Sequence, residues 1–337
     1  NELSINADWQ DITVVYGILD PSTDTNIIRI ERGYLGSEPA RNSYDKPDSL
    51  YYDEDEIVVT LTWYSITSGG NRGAEVGKRI LDADYNIRSL NDNGPFTTEG
   101  YRVYPVISPD IPISSDYEYE LIIDKTDGGP QVKASTRILE SFEYRRPITN
   151  INGREFRGTL SWKNTERDIR LYQPRYYFYY DEYDLTTKQK TRKEIMFRYD
   201  DVEQRPSNPP TDFEISFTDD NHIFYSNIAG NVEPDPNVLR FFHHMRFEVW
   251  GADENLTTYL NLKRPSNSIN QNRPEFTNIE NGAGIFASRI KVVLDDVTLA
   301  DDGATISVEE GLYIKEIMCD KRFAYIPPGS GDTCICQ

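Results

Sequence analysis

The chain has 337 residues, with 56 Asp and Glu against 36 Lys and Arg for a net charge of −20, and only 37% of its residues are hydrophobic. Such acidity argues against nucleic-acid binding, because affinity for a phosphate backbone comes largely from basic groups that displace counterions. No apolar run approaches the roughly 18 residues that a membrane-spanning helix needs, and the length predicts about two domains of ordinary size.

Asn1-Glu-Leu-Ser-Ile-Asn-Ala-Asp8 looks like the start of a processed chain, and residues 1–11 are expected to be a linker following an anchor. Seven short β-rich runs come next: Ile12 to Leu19, Asn26 to Glu31, Ile57 to Tyr64, Val76 to Asn86, Tyr101 to Ile107, Tyr117 to Ile123 and Gln131 to Ile138. Their spacing is that of an antiparallel sandwich. The last two, joined by Asp127-Gly-Gly-Pro130, read as an Ig-like closing hairpin. Between Gly33 and Asp55, Pro39, Asn42 and Pro47 predict an ordered irregular loop that runs into Tyr51-Tyr-Asp-Glu-Asp-Glu56. Residues 12–146 are therefore expected to form an Ig-like β-sandwich.

Arg145-Arg-Pro-Ile-Thr-Asn-Ile-Asn-Gly153 interrupts the pattern and marks a boundary. Residues 147–318 are expected to form a second β-rich domain with one short helix. Phe156 to Trp162 makes its first strand, and Arg170 to Tyr183 with Arg192 to Tyr199 a long hairpin dense in tyrosine. A breaker cluster, Arg205-Pro-Ser-Asn-Pro-Pro210, precedes the runs Phe213 to Phe217 and Leu239 to Trp250. Glu254 to Lys263 reads as the helix, with Asp253 as N-cap and Pro265 as stop, and Leu256, Tyr259, Leu260 and Lys263 share the face that should lie on a sheet. After a polar, Asn-rich stretch, Asn281-Gly-Ala-Gly-Ile-Phe-Ala-Ser288 has glycine spacing suited to close backbone approach beside a sheet. Gly284 to Val293 and Thr305 to Ile317 continue the β pattern, and residues 319–337 form a cysteine-bearing tail.

No residue set carries a reaction signature. His243 and His244 lie in a strand, which should send their imidazoles to opposite faces and keep them from chelating one metal, and His222 stands apart. Asp82-Ala-Asp-Tyr-Asn86 opens like a calcium loop but lacks the Gly and the closing Glu. Asp53-Glu-Asp-Glu56 and Asp295-Asp-Val-Thr-Leu-Ala-Asp-Asp-Gly303 read as turn chemistry, with calcium at either left open and no other cofactor expected. Cys334 and Cys336 are too close to pair readily, so a disulfide would run from Cys319 to Cys334 or Cys336; the rival is a three-thiolate metal site. Unmarked carboxylate pairs keep a glycosidase open as the least favoured reading. Tyr176, Tyr177, Tyr179, Tyr180 and Tyr183 are the candidate binding residues, a platform for a glycan or a protein, although alternation must send about half of them into a core.

Val14-Val-Tyr-Gly-Ile-Leu-Asp20, Ala134-Ser-Thr136 in the closing hairpin, the Trp162 strand leading into Tyr176 to Glu182, and Asn278-Ile-Glu-Asn-Gly-Ala-Gly-Ile-Phe286 occur in an order that resembles Bacteroidota outer-membrane or cell-surface lipoproteins, often encoded near TonB-dependent transporters. The resemblance covers most of residues 12–318. It implies a lipidated cysteine upstream of Asn1 and anchoring at the outer membrane, on its periplasmic face or at the cell surface. It also implies an accessory or scaffolding role beside an outer-membrane barrel or another envelope protein. It brings no catalytic residues, and a non-enzymatic module acting through protein contacts is the expected function, with a glycan-binding surface protein as the alternative.

Overall fold

The computed structural model describes residues 11–33, 50–84, 102–144, 150–152, 157–163, 169–203, 213–218, 221–264, 276–300, 318, 320–325 and 334–335. The strands in chain order begin with β1 (Ile12–Leu19), β2 (Thr25–Gly33), β3 (Ile57–Ile66), β4 (Arg72–Leu81), β5 (Val103–Ile107), β6 (Tyr117–Lys125) and β7 (Val132–Arg137). Then come β8 (Glu143–Tyr144), β9 (Asn150–Asn152), β10 (Arg157–Lys163), β11 (Leu171–Asp184), β12 (Lys190–Arg198), β13 (Val202–Glu203) and β14 (Phe213–Thr218). Helix α1 (Asn221–Gly230) and β15 (Val238–Ala252) precede helix α2 (Glu254–Lys263), and β16 (Gly282–Ala300), β17 (Ala324–Tyr325) and β18 (Cys334–Ile335) end the chain. The protein is mainly β, as the alternation in the sequence predicts.

Two compact units emerge. The first comprises Asn1–Glu140, Asp168–Leu171 and Gly251–Ile290; the second Ser141–Arg167, Tyr172–Trp250 and Lys291–Gln337. Residues 251–290, grouped with 147–318 on sequence grounds, thus belong to the first unit.

In the first unit the sheet β4-β3-β6-β7 is antiparallel throughout and faces a second sheet in which β5, β2 and β1 run antiparallel and β1 then pairs in parallel with β16. Alternate residues of both sheets, Val15, Leu19, Ile28, Ile30, Val59, Leu61, Tyr119, Leu121, Ile123 and Val132, close one core with Phe286. This is an Ig-like sandwich, and two side chains mark it. Trp63 of β3 is buried, its indole lying where Gly77 of β4 leaves room: a Cβ there would stand 2.2 Å from the ring. Tyr119, buried near the start of β6, donates its hydroxyl to the Pro112 carbonyl and accepts from the Ser114 N–H at 3.1 Å, the corner that ties such a strand to the turn before it.

The register of β1 on β16 runs from Thr13 opposite Gly282 to Leu19 opposite Ser288. Only glycine fits at position 284. Its φ is +102°, and a Cβ would lie 2.0 Å from the Val15 carbonyl oxygen. Helix α2 covers this sheet with Leu256, Tyr259 and Leu260 against Ile18, Ile285 and Ala287. Its N-cap is Asp253, as expected. One carboxylate oxygen accepts the Leu256 N–H at 2.7 Å, and the other accepts the Ser288 N–H at 2.7 Å and the Thr136 hydroxyl at 3.2 Å.

In the second unit β12, β11 and β15 are neighbours in one sheet, and β10 pairs with β14, β8 and β9. Its core joins Phe178, Phe224, Met245, Phe247 and Val249, with Phe142, Trp162 and Tyr172 packed ring on ring beside it. One helix was expected in residues 147–318, whereas two are found among the described residues, because Asn221–Gly230 is helical as well. Phe224, Tyr225, Ile228 and Ala229 are buried at spacings of one and four, a helical stripe within a composition rich in residues that favour strands. The expected strand Val76 to Asn86 starts earlier, at Arg72.

The expected strand Thr305 to Ile317, the linker 1–10, the loop 34–49, the breaker cluster 205–210, the Asn-rich stretch from 265 to 275 and the positions of Cys319 and Cys336 lie outside the described residues. The disulfide reading therefore rests on sequence alone. Among the described residues no helix is long and apolar enough to cross a membrane.

Candidate binding surface

The tyrosine-rich strand β11 is sorted by its own pleat. Successive side chains leave a strand on opposite faces. Tyr176 and Tyr180 turn inward with Phe178 and are buried, Tyr176 stacking on Phe197 at 4.8 Å and Tyr180 meeting Phe323 at 5.3 Å. Tyr177 and Tyr179 turn outward, ring centroids 6.3 Å apart and nearly parallel. Tyr183 is half-buried near the end of β11, in register with Lys190. The structure thus brings two of the five candidate tyrosines together on the open face.

Strand β15 lies beside β11 and contributes His244, Arg246, Glu248 and Trp250 to the same face, alternating with Met245, Phe247 and Val249 in the core. The Arg246 guanidinium lies 4.9 Å from the Tyr177 ring centre and pairs with Glu248. Glu248 also accepts the Tyr177 hydroxyl and the Trp250 indole N–H, each at 3.1 Å. Burial by itself would raise the Glu248 carboxyl, but the hydrogen bond and charge of Arg246, with Trp250 and Tyr177 donating, outweigh it and hold the group below the ordinary glutamate range. Its negative charge is therefore a fixed feature of the face at neutral pH. Tyr179 is pushed up to about 12 by burial and by its hydrogen bond to Glu194, so its hydroxyl remains a donor.

Each outward ring has a neighbour on its π-face. Tyr179 lies parallel to the His244 imidazole at 4.5 Å, with an interplanar angle of 4°, and to Tyr177 on the other side. Trp250 carries Arg175 at 5.2 Å and Lys291 at 5.3 Å. With these neighbours against the rings and the tyrosine hydroxyls bonded to Glu248 and Glu194, this ladder of rings is a poor surface for laying a sugar ring flat on an aromatic face. Met196 (50% exposed), opposite Tyr177 in register, and Val293 (41%) add exposed apolar area.

At the end of this ladder β15 departs from regular alternation. Phe242 meets the core ring Phe178 at 5.2 Å and Met245 is fully buried, so both face inward and the two residues between them occupy one outward position. The extra residue is of the kind that defines a β-bulge. His243 and His244 consequently stand side by side, Nδ1 to Nδ1 at 2.5 Å, and not on opposite faces as an unbroken strand would have them. Burial and the nearby Arg192 charge hold His243 below the ordinary histidine value. His244 Nε2 reaches the Asp295 carboxylate at 3.1 Å. His222 lies in α1.

The other carboxylate groups have local employment. Asp53 pairs with Arg102 at 2.8 Å and Glu56 with Arg32 at 2.8 Å. Asp84 forms a backbone bridge with Val103, and residues 85 and 86 of that segment lie outside the described residues, as do 301–303. Arg175, Arg246, Glu248 and Trp250 were not among the sequence candidates. Their signal is the period-two run His244, Arg246, Glu248, Trp250, legible once Met245, Phe247 and Val249 are recognised as the buried phase.

No family model and no curated protein matches the chain. Similar solved structures include the C-terminal globular domain of an oligosaccharyltransferase from Pyrococcus abyssi, at 11% identity over 71% of this chain and 46% of that one, TM-score 0.23. The CBD12 region of CALX1.2 matches at 10% identity over 76% of this chain and 88% of that one (TM-score 0.16), and that of CALX1.1 at 9% over 82% and 98% (TM-score 0.17). The chain thus spans less than half of the oligosaccharyltransferase domain. Likeness at these scores identifies no relative by function.

Proposed function

We propose that the chain is a non-enzymatic binding module, an accessory or scaffolding subunit that acts through protein contacts, and that the open face of β12, β11, β15 and the second half of β16 is its docking surface. The observation that carries this reading is the occupied ring ladder. Tyrosine, tryptophan and arginine dominate contact energy between proteins because they bring large area with little lost freedom. Here Glu248 and the cations hold Tyr177 and Trp250 in place, and His244 and Glu194 hold Tyr179, before any partner arrives. Pre-organisation of this kind lowers the entropic cost of association. Glycan stacking needs free ring faces, and the ladder covers them. On the resemblance drawn from the sequence, the partner is an outer-membrane barrel or another envelope protein, and the chain is lipid-anchored.

The test is site-specific photocrosslinking from Met196 and Val293 in native envelopes, followed by mass spectrometry. One protein crosslinked at fixed ratio from both positions, and lost on Tyr177→Ala or Trp250→Ala with the fold intact, is the expected result. Absence of such a partner, together with polysaccharide affinity that falls on Tyr177→Ala or Tyr179→Ala, would overturn it in favour of glycan binding.

A further inference from the structure

Two pairs of consecutive residues, each of which a regular strand would split between opposite faces, converge at the end of the tyrosine ladder. The bulge in β15 sets His243 and His244 side by side. In β16, Asp296 adopts a left-handed φ of 57°, and one oxygen from Asp295, one from Asp296 and one nitrogen from His244 lie within 4.8 Å of one another. We propose that His244 Nε2 and the Asp295 and Asp296 carboxylates bind one divalent transition-metal ion of the zinc class.

The donor set selects the metal. One imidazole and two carboxylates suit borderline divalent ions, whereas calcium takes oxygen ligands, typically six to eight. Ligands about 2.1 Å from a tetrahedral ion are about 3.4 Å apart, and the 3.1 Å between His244 Nε2 and Asp295 Oδ1 is near that spacing without any repacking.

The imidazole is held from three sides. Tyr179 lies flat on it at 4.5 Å, the Asp295 carboxylate faces Nε2, and His243 Nδ1 meets its own Nδ1. When His244 donates its Nδ1–H to His243, Nε2 is left as a bare lone pair aimed at a carboxylate oxygen. Those two groups repel unless a cation stands between them. Such an outer hydrogen bond is what orients a metal-binding histidine and fixes its tautomer, and it makes His243 a positioning residue. The neighbouring Arg246 charge is taken up by Glu248, which limits its repulsion of a metal ion. Three protein ligands leave a coordination position open.

The inference is independent of the docking reading, and its readouts differ. The full chain, stripped with a chelator, is titrated with Zn2+ by calorimetry and with Co2+ by visible absorption. Long-range 1H–15N spectra then report the His244 ring. One zinc per chain at a dissociation constant of about 10 μM or better is expected, weakened at least about tenfold in His244→Ala and Asp296→Asn. His243→Ala should weaken it by about tenfold through loss of the orienting bond. All three substitutions fall on the outward face, and circular dichroism confirms the fold. Uptake only at millimolar zinc, uptake indifferent to His244→Ala and Asp296→Asn, or an Nε2–H that persists at saturating zinc would overturn the proposal, the last by showing a plain imidazole–carboxylate hydrogen bond.

Discussion

Asp253 is the sharpest place to test the electrostatics of this fold. The carboxyl is buried beneath the start of α2, and burial holds its pKa at about 6, above the ordinary 3.8, even though the Leu256 and Ser288 N–H groups and the Thr136 hydroxyl all favour the charged form. Between about pH 4 and pH 6 the folded chain therefore keeps a proton here that the unfolded chain has released. Raising the pH through that window lowers stability. The gap from 3.8 to about 6 amounts to about 3 kcal/mol at 1.4 kcal/mol per tenfold change in proton affinity.

Asp11, Glu120, Asp181 and Glu248 are all held below their ordinary values, so their contributions run the other way and are lost as pH falls. They are common to the wild type and to Asp253→Asn, and the difference between the two chains removes them. Asparagine also turns an amide N–H toward a donor that the carboxylate accepted, a cost that does not vary with pH. The expected result in urea unfolding is a difference in stability that shifts by about 2 kcal/mol in favour of the asparagine chain from pH 4 to pH 7, the rest of the gap lying below pH 4. A 13C-observed titration should show the carboxyl changing near pH 6. Parallel stability curves, or a carboxyl that titrates near pH 4, would refute the reasoning.

Tyr119→Phe removes the hydroxyl that joins Pro112 and Ser114, and the cost should be about 1–2 kcal/mol in chemical denaturation; no loss would mean that the corner contributes nothing. Gly284→Ala should cost at least about 2 kcal/mol and accelerate amide exchange along β1, because its Cβ would collide with the Val15 carbonyl. Gly70, at φ +75° with nothing within 4 Å of a built Cβ, is the control, and an equal effect of Gly70→Ala would show that backbone strain and not the collision is responsible. A fragment of residues 1–140 lacks β16 and the fully buried Phe286; it should melt broadly and bind a hydrophobic dye, and a sharp melt near that of the whole chain would show that the seven strands suffice.

Much of the first unit was legible because its strands are buried on one side. Ile12 to Leu19 and Tyr117 to Ile123 alternate, and the pleat converts alternation into a core face. The start of β4 was hidden for the opposite reason. Arg72 to Ile80 is exposed or half-exposed on both faces, so no hydrophobic period betrays it. In β11 the presence of aromatics on both faces concealed the phase, and only Phe178, flanked by the buried Tyr176 and Tyr180, shows which set turns inward. The histidine pair departs from strict alternation, which would part the two rings, because the bulge suspends that alternation. The glycines of β16 signal a close neighbour but not which one: each segment reads as a strand, and the choice of β1 as partner is decided by packing some 270 residues apart.

That pairing has a consequence for how the protein is made. As the chain leaves the ribosome, β1 emerges some 270 residues before the neighbour that completes its hydrogen bonding, from Gly282 to Ser288. At about 5–20 residues per second, this interval lasts on the order of tens of seconds. Throughout it the nascent sandwich presents the bare edge of β1 and a socket awaiting Phe286, the sort of surface that recruits chaperones or a second nascent chain. Translation speed through the middle of the message, and not only the final free energy, should therefore govern how much of this protein reaches its native state.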